Sequence, residues 1–110
     1  MKNINLFEDN KVFKLPELGE VVEGKAILKK MFDSEHVTTA LALFDKDSVI
    51  ATHSSPASAL VQVFEGEVLI VIDGVDFIVK AGESIVIAQN AKHSLTGITV
   101  AKAYITKLFA

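Results

Sequence analysis

The chain has 110 residues, half of them hydrophobic and 23% charged, with a formal net charge of −3 at pH 7. That apolar share excludes a disordered chain, and the length suits a single domain spanning residues 1–110. Cysteine is absent, which rules out disulfides and thiolate metal sites, and no Lys/Arg stripe marks a nucleic-acid partner.

The first ten residues carry charges where a signal peptide needs its apolar run. The longest stretch without Asp, Glu, Lys or Arg, residues 48–64, holds His53, four serines and Pro56, too short and too polar to cross a bilayer. A cytoplasmic protein with no membrane partner is expected. Apolar residues then come in short β-branched runs without helical spacing. Residues 12–15 and 25–32 predict two strands, with 1–24 as an N-terminal segment packing on a barrel of about 25–109 or on a partner chain. Residues 36–44 predict a strand ended by the turn at Asp45-Lys46-Asp47, and 48–53 a short strand closed by Ser54-Ser55-Pro56. Residues 60–64 follow, broken by Glu65-Gly66. The runs 68–72 and 75–79 flank Asp73-Gly74, a dipeptide that suits a type I′ hairpin because both residues accept positive φ. Ala81-Gly82 turns the chain into 84–87, and 100–109 is a long closing strand. Evenly punctuated short strands predict an all-β sandwich or barrel of about eight or more strands. The run 68–72 is apolar on both faces, which calls either for burial under the N-terminal segment or for a dimer interface.

Two histidines stand at matching places in a bipartite pattern: residues 53–66 run from His53 to Gly66, and residues 82–93 from Gly82 to His93. In these segments the chain resembles a small single-domain cupin, an RmlC-like jelly-roll barrel or double-stranded β-helix, over about residues 47–109. His53 matches the leading histidine of the first cupin motif and Gly66 its closing glycine; Gly82 and His93 match the glycine and histidine of the second. The pattern departs at Ser55 and Ala59, where a histidine and a Glu or Gln ligand are expected, at Ala88 and Asn90 for proline and glycine, and at Asp47 and Gly97 for glycine and asparagine. The resemblance implies that His53 and His93 face one cavity with Ser55 and Ala59 on the same wall. It also implies that they are the metal ligands of an incomplete set.

A divalent transition metal normally takes three or four N/O/S donors, so two imidazoles hold one weakly, with substrate and water completing the shell. Two readings of function follow. In one, the barrel binds a small organic ligand among apolar residues, two histidines and a few hydroxyls from Thr52, Ser54 and Ser55. In the other it is an enzyme, either a metal-dependent oxygenase or isomerase, or a metal-free epimerase with a histidine as base and Tyr104 as acid. Tyr104 either aims its phenol into the cavity or packs with its hydroxyl satisfied. His36 matches no motif and is expected at the surface. A mean hydropathy of +0.39 and the doubly apolar strand predict a homodimer.

Overall fold

The computed structural model describes residues 3–109, so the ends of the expected 1–110 domain lie outside the described residues. Ten strands alternate with tight turns: β1 Asn3–Asn5, β2 Ala26–Ser34, β3 Val37–Phe44, β4 Val49–His53, β5 Ser58–Glu65, β6 Glu67–Ile72, β7 Val75–Lys80, β8 Ser84–Ile87, β9 His93–Gly97 and β10 Ala101–Leu108. The only helical piece among the described residues is a 3₁₀ turn at Leu15–Glu17, and no helix is long and apolar enough to cross a membrane. All pairings are antiparallel. They build a six-stranded sheet in the order β1-β2-β3-β10-β5-β8 and a four-stranded sheet in the order β4-β9-β6-β7. The two sheets face each other as a jelly-roll barrel, the all-β class expected from the turn chemistry.

Period-two alternation sends one set of side chains inward from each sheet. Phe44, Val61 and Ile87 from the larger sheet meet Val68 and Ile70 from the smaller in a core that leaves each at most 2% exposed. Asp73 and Gly74 take φ of 47° and 80°, the left-handed pair that a type I′ turn needs. Asp47 and Asn90, which stand where the motifs carry glycine, also sit at positive φ, 65° and 66°. Both residue types tolerate that region better than most, so these two departures preserve the turns.

The N-terminal path differs from the sequence expectation. Residues 12–15 form no strand; the strand beside β2 is β1, which pairs with its last three residues, Ile4 opposite Asp33. Pro16 helps to open the 3₁₀ turn at Leu15–Glu17 instead. The segment instead crosses the outer face of the larger sheet, where Phe7, Leu15, Leu18 and Val21 cover Met31, Leu41 and Leu43 in a second core. That cover explains why residues 41–44 are buried on both faces of β3. It also overturns one explanation of the doubly apolar β6. Val68 and Ile70 point into the core, but Leu69 and Val71 face outward from the other sheet, half-buried and away from the N-terminal segment.

Candidate functional site

His53 ends β4 and His93 begins β9, and the two are directly opposed in the ladder that joins those strands. A register shift between Ile50 and His53 re-aims the end of β4. The imidazole centroids lie 4.2 Å apart with ring planes at 60°. Each ring is held by the same local device. Nδ1 of His53 lies 2.8 Å from the carbonyl oxygen of Ala51, and Nδ1 of His93 lies 2.9 Å from that of Ala91. A carbonyl oxygen can only accept, so Nδ1 carries the proton in both rings. Each neutral ring therefore keeps its lone pair on Nε2.

The two rings line a niche of about 20 Å³ together with Ala59, Val61, Ile87 and Lys107, room for about one water. Three of its lining residues, Leu28, Ile105 and Lys107, also line an adjoining chamber of about 230 Å³ with Lys30, Thr38 and Phe109. The site is thus a funnel, with a small apolar-walled chamber outside and the paired imidazoles at its inner end.

His93 is 4% exposed. Burial holds its pKa below the usual histidine value, and repulsion from Lys107, and from the His53 ring whenever that is protonated, pushes the same way, against the Ala91 carbonyl and Asp73. The neutral ring is favoured in the fold, while the unfolded chain protonates near pH 6.5. Stability on this account is complete above about pH 6.5 and falls as pH drops towards the lower folded value. Thermal melts should show a decrease in midpoint between pH 7.5 and 5.5 that is smaller in His93→Gln. Equal decreases would remove His93 as its source.

Of the other sequence candidates, Ala59 faces the niche but Ser55 does not line it. The Ser55 hydroxyl accepts the backbone N–H of Ala57 at 3.2 Å, and its carbonyl accepts from Asn90, which is turn chemistry. Tyr104 points out of the barrel, because Ala103 and Ile105 take the inward positions of β10. Its hydroxyl donates to Thr39 at 2.7 Å, and its ring lies 6.4 Å from Phe7. The pairing of a histidine base with a Tyr104 acid is therefore not assembled. His36 is exposed beside Glu35, and Thr52 and Ser54 are exposed.

Among the described residues no three His, Cys, Asp or Glu side chains gather where they could hold a metal. The residues present do not fit the three- or four-donor site that the full cupin motif would supply. Lys107 is the site residue that sequence reasoning missed. It stands opposite Ala59 in the β10–β5 ladder, so an ammonium group shares the niche with the position where a ligand carboxylate is absent. The signal was in the alternation of the closing strand, which puts Lys107 on the face of Ala101, Ala103 and Ile105.

A model of the cupin domain family matches residues 40–106. A conserved protein of unknown function from Streptococcus pyogenes has a similar structure, with a TM-score of 0.92 and 24% identity, covering 100% of this chain and 96% of that one. An RmlC-like cupin from Shewanella frigidimarina NCIMB 400 gives 0.78 at 21% identity, with 100% and 96% covered. A cupin 2 conserved barrel domain protein from Leptotrichia buccalis is 33% identical with a TM-score of 0.84, over 87% of this chain and 47% of that one. None of the curated proteins matches.

Proposed function

This chain belongs to the cupin domain family, and we propose that it is a binding module for a small organic molecule, with any divalent transition metal held weakly. The observation that carries this reading is the funnel. A chamber of about 230 Å³ leads to two imidazoles that line a niche the size of one water, each with Nδ1 held by a backbone carbonyl and Nε2 left as the acceptor. Ligand sites are typically apolar hollows with a few fixed polar groups, and this one lies below the ~300–1,000 Å³ that drug-sized ligands occupy. The ligand is correspondingly small. Two imidazole acceptors beside one small space favour an oxygen that carries hydrogens, either a water or a hydroxyl of the ligand.

The reading includes a homodimer. Leu69 and Val71 of β6, with Ile78 opposite Leu69 on β7, give the smaller sheet an apolar outer face that this chain leaves open. The lack of cysteine suits a reducing cytoplasm. Native mass spectrometry of protein purified without chelator or a nickel column tests these points together. The expected spectrum has the mass of two chains, a small organic adduct released on denaturation, and metal well below one per chain. One firmly held metal per chain would move the metal-dependent enzyme ahead, and a monomer mass would end the dimer. A protein that carries no adduct and binds nothing from a set of small organic compounds would end the binding reading.

A further inference from the structure

Both parts of the funnel are lined by cationic side chains, and no Asp or Glu lines either. That runs against the chain as a whole, whose net charge is −3. Lys30 projects from β2 and reaches the carboxylate of Asp33 at 3.4 Å. Lys107 forms no ion pair or hydrogen bond among the described residues. It is half-buried on β10, inside the barrel mouth, where the chamber and the niche meet. An ammonium in a confined, largely apolar hollow is costly without a counter-charge. Its surroundings are Leu28, Ile105 and Phe109, with the Thr38 side chain opposite it in the β10–β3 ladder.

We infer that the funnel selects a small organic carboxylate. Its charged head meets Lys107, with Lys30 at the rim, and its short apolar body lies against Leu28, Ile105 and Phe109. This rests on the small-molecule reading above and deepens it by assigning the ligand's charge. The chemistry is complementary at each level. The ammonium donates hydrogen bonds to the carboxylate, and such charge-assisted bonds are about twice as strong as neutral ones. The chamber walls bury the body, and Thr38 can donate to the head. The imidazoles have acceptors facing the niche and would repel a carboxylate oxygen placed there. The head therefore stays at Lys107, and the niche takes water or a hydroxyl. Where the family motif puts a carboxylate to hold a cation, this chain puts Ala59 across from a lysine to hold an anion.

The test uses the intact protein and three probes: isovalerate, the neutral amide of the same acid, and inorganic phosphate. Binding is measured by calorimetry on wild type and Lys107→Met, a variant that keeps the length of the side chain and removes its charge. Isovalerate should bind wild type at least about tenfold more tightly than the amide or phosphate. Lys107→Met should lose at least about tenfold, the scale of one hydrogen bond to a charged group. Nuclear magnetic resonance titration of the His93 ring should move upward in Lys107→Met, with a dispersed amide spectrum showing that the variant is folded, which places the ammonium beside the ring. Amide binding as tight as isovalerate, or unchanged affinity in Lys107→Met, overturns the charge assignment and leaves the binding reading standing. Phosphate binding as tight as isovalerate overturns the apolar body. An unmoved His93 titration overturns the placement of Lys107. No binding of any probe to wild type overturns the inference, and the binding reading falls with it only if the wider compound set also fails.

Discussion

Replacing Gly66 with alanine is expected to lower the melting midpoint by about 15 °C or more. Gly66 sits at φ +71°, between β5 and β6. A side chain in that region costs about 1–2 kcal/mol on steric grounds alone. A Cβ there would also overlap the carbonyl oxygen of Val100 and lie 2.6 Å from Oγ1 of Thr99. Neither neighbour can step aside cheaply. The Thr99 hydroxyl accepts the N–H of Glu67 at 3.1 Å, and Val100 leads directly into β10. Forced displacement of this kind adds about 1–3 kcal/mol. A combined loss of about 3 kcal/mol or more, at roughly 4–8 °C per kcal/mol for a chain near this size, gives the predicted shift. Gly74→Ala is the control, because Gly74 has φ +80° but nothing within 4 Å of its Cβ position. Calorimetric melts of the two variants separate backbone conformation from collision, and equal losses would refute the collision.

The second large effect is a gain of metal binding. Ala59→Glu in a Lys107→Ala background should raise Zn²⁺ or Ni²⁺ affinity by at least the roughly 10–100-fold that even outer-shell partners are worth. The carboxylate would join the two Nε2 lone pairs, giving three donors, the number that open catalytic zinc sites use. Exchanging a long side chain for a short one at facing positions also keeps the packed volume nearly constant. Ala59→Glu alone should gain much less, because the new carboxylate would pair with Lys107 directly opposite. Restoring a histidine at Ser55 should add little, since that side chain serves the turn and does not line the niche. Titration calorimetry on the single and double variants decides the matter. If both bind metal equally, Lys107 is not the obstacle.

What could be read from the sequence was whatever is settled locally. The Asp73-Gly74 turn and the breaks at Glu65-Gly66 and Ala81-Gly82 depend on the φ preferences of a few residues, so the strands between 26 and 108 fell close to their expected bounds, except β9 at His93–Gly97, which was not among the expected strands. His53 and His93 could be paired because the two motif halves fix their registers, and the ladder brings them opposite each other. The N-terminal path was not legible, because β1 has only the three residues Asn3-Ile4-Asn5, which carry no periodic signal, and Leu15, Leu18 and Val21 settle on Met31, Leu41 and Leu43 through contacts remote in sequence. Tyr104 and Lys107 exchanged importance for one reason. They lie three apart on β10 and so face opposite ways, and which face is inward was readable from Ala101, Ala103 and Ile105. That Lys107 meets Ala59 is a property of two strands about 45 residues apart, beyond any local reading.

The position of β10 also governs the order in which this molecule can be assembled. The larger sheet consists of two blocks, β1-β2-β3 and β5-β8, and β10 alone joins them. Until it docks, β3 and β5 each present an unpaired edge, and neither block can satisfy that edge without β10. Closure requires contacts over long sequence separations, so loop entropy is spent before the reward arrives and folding is slow relative to helical chains of this size. In that interval two nascent molecules at high concentration can each offer β10 to the other's gap, so the strand order leaves β10 as the element open to exchange between copies.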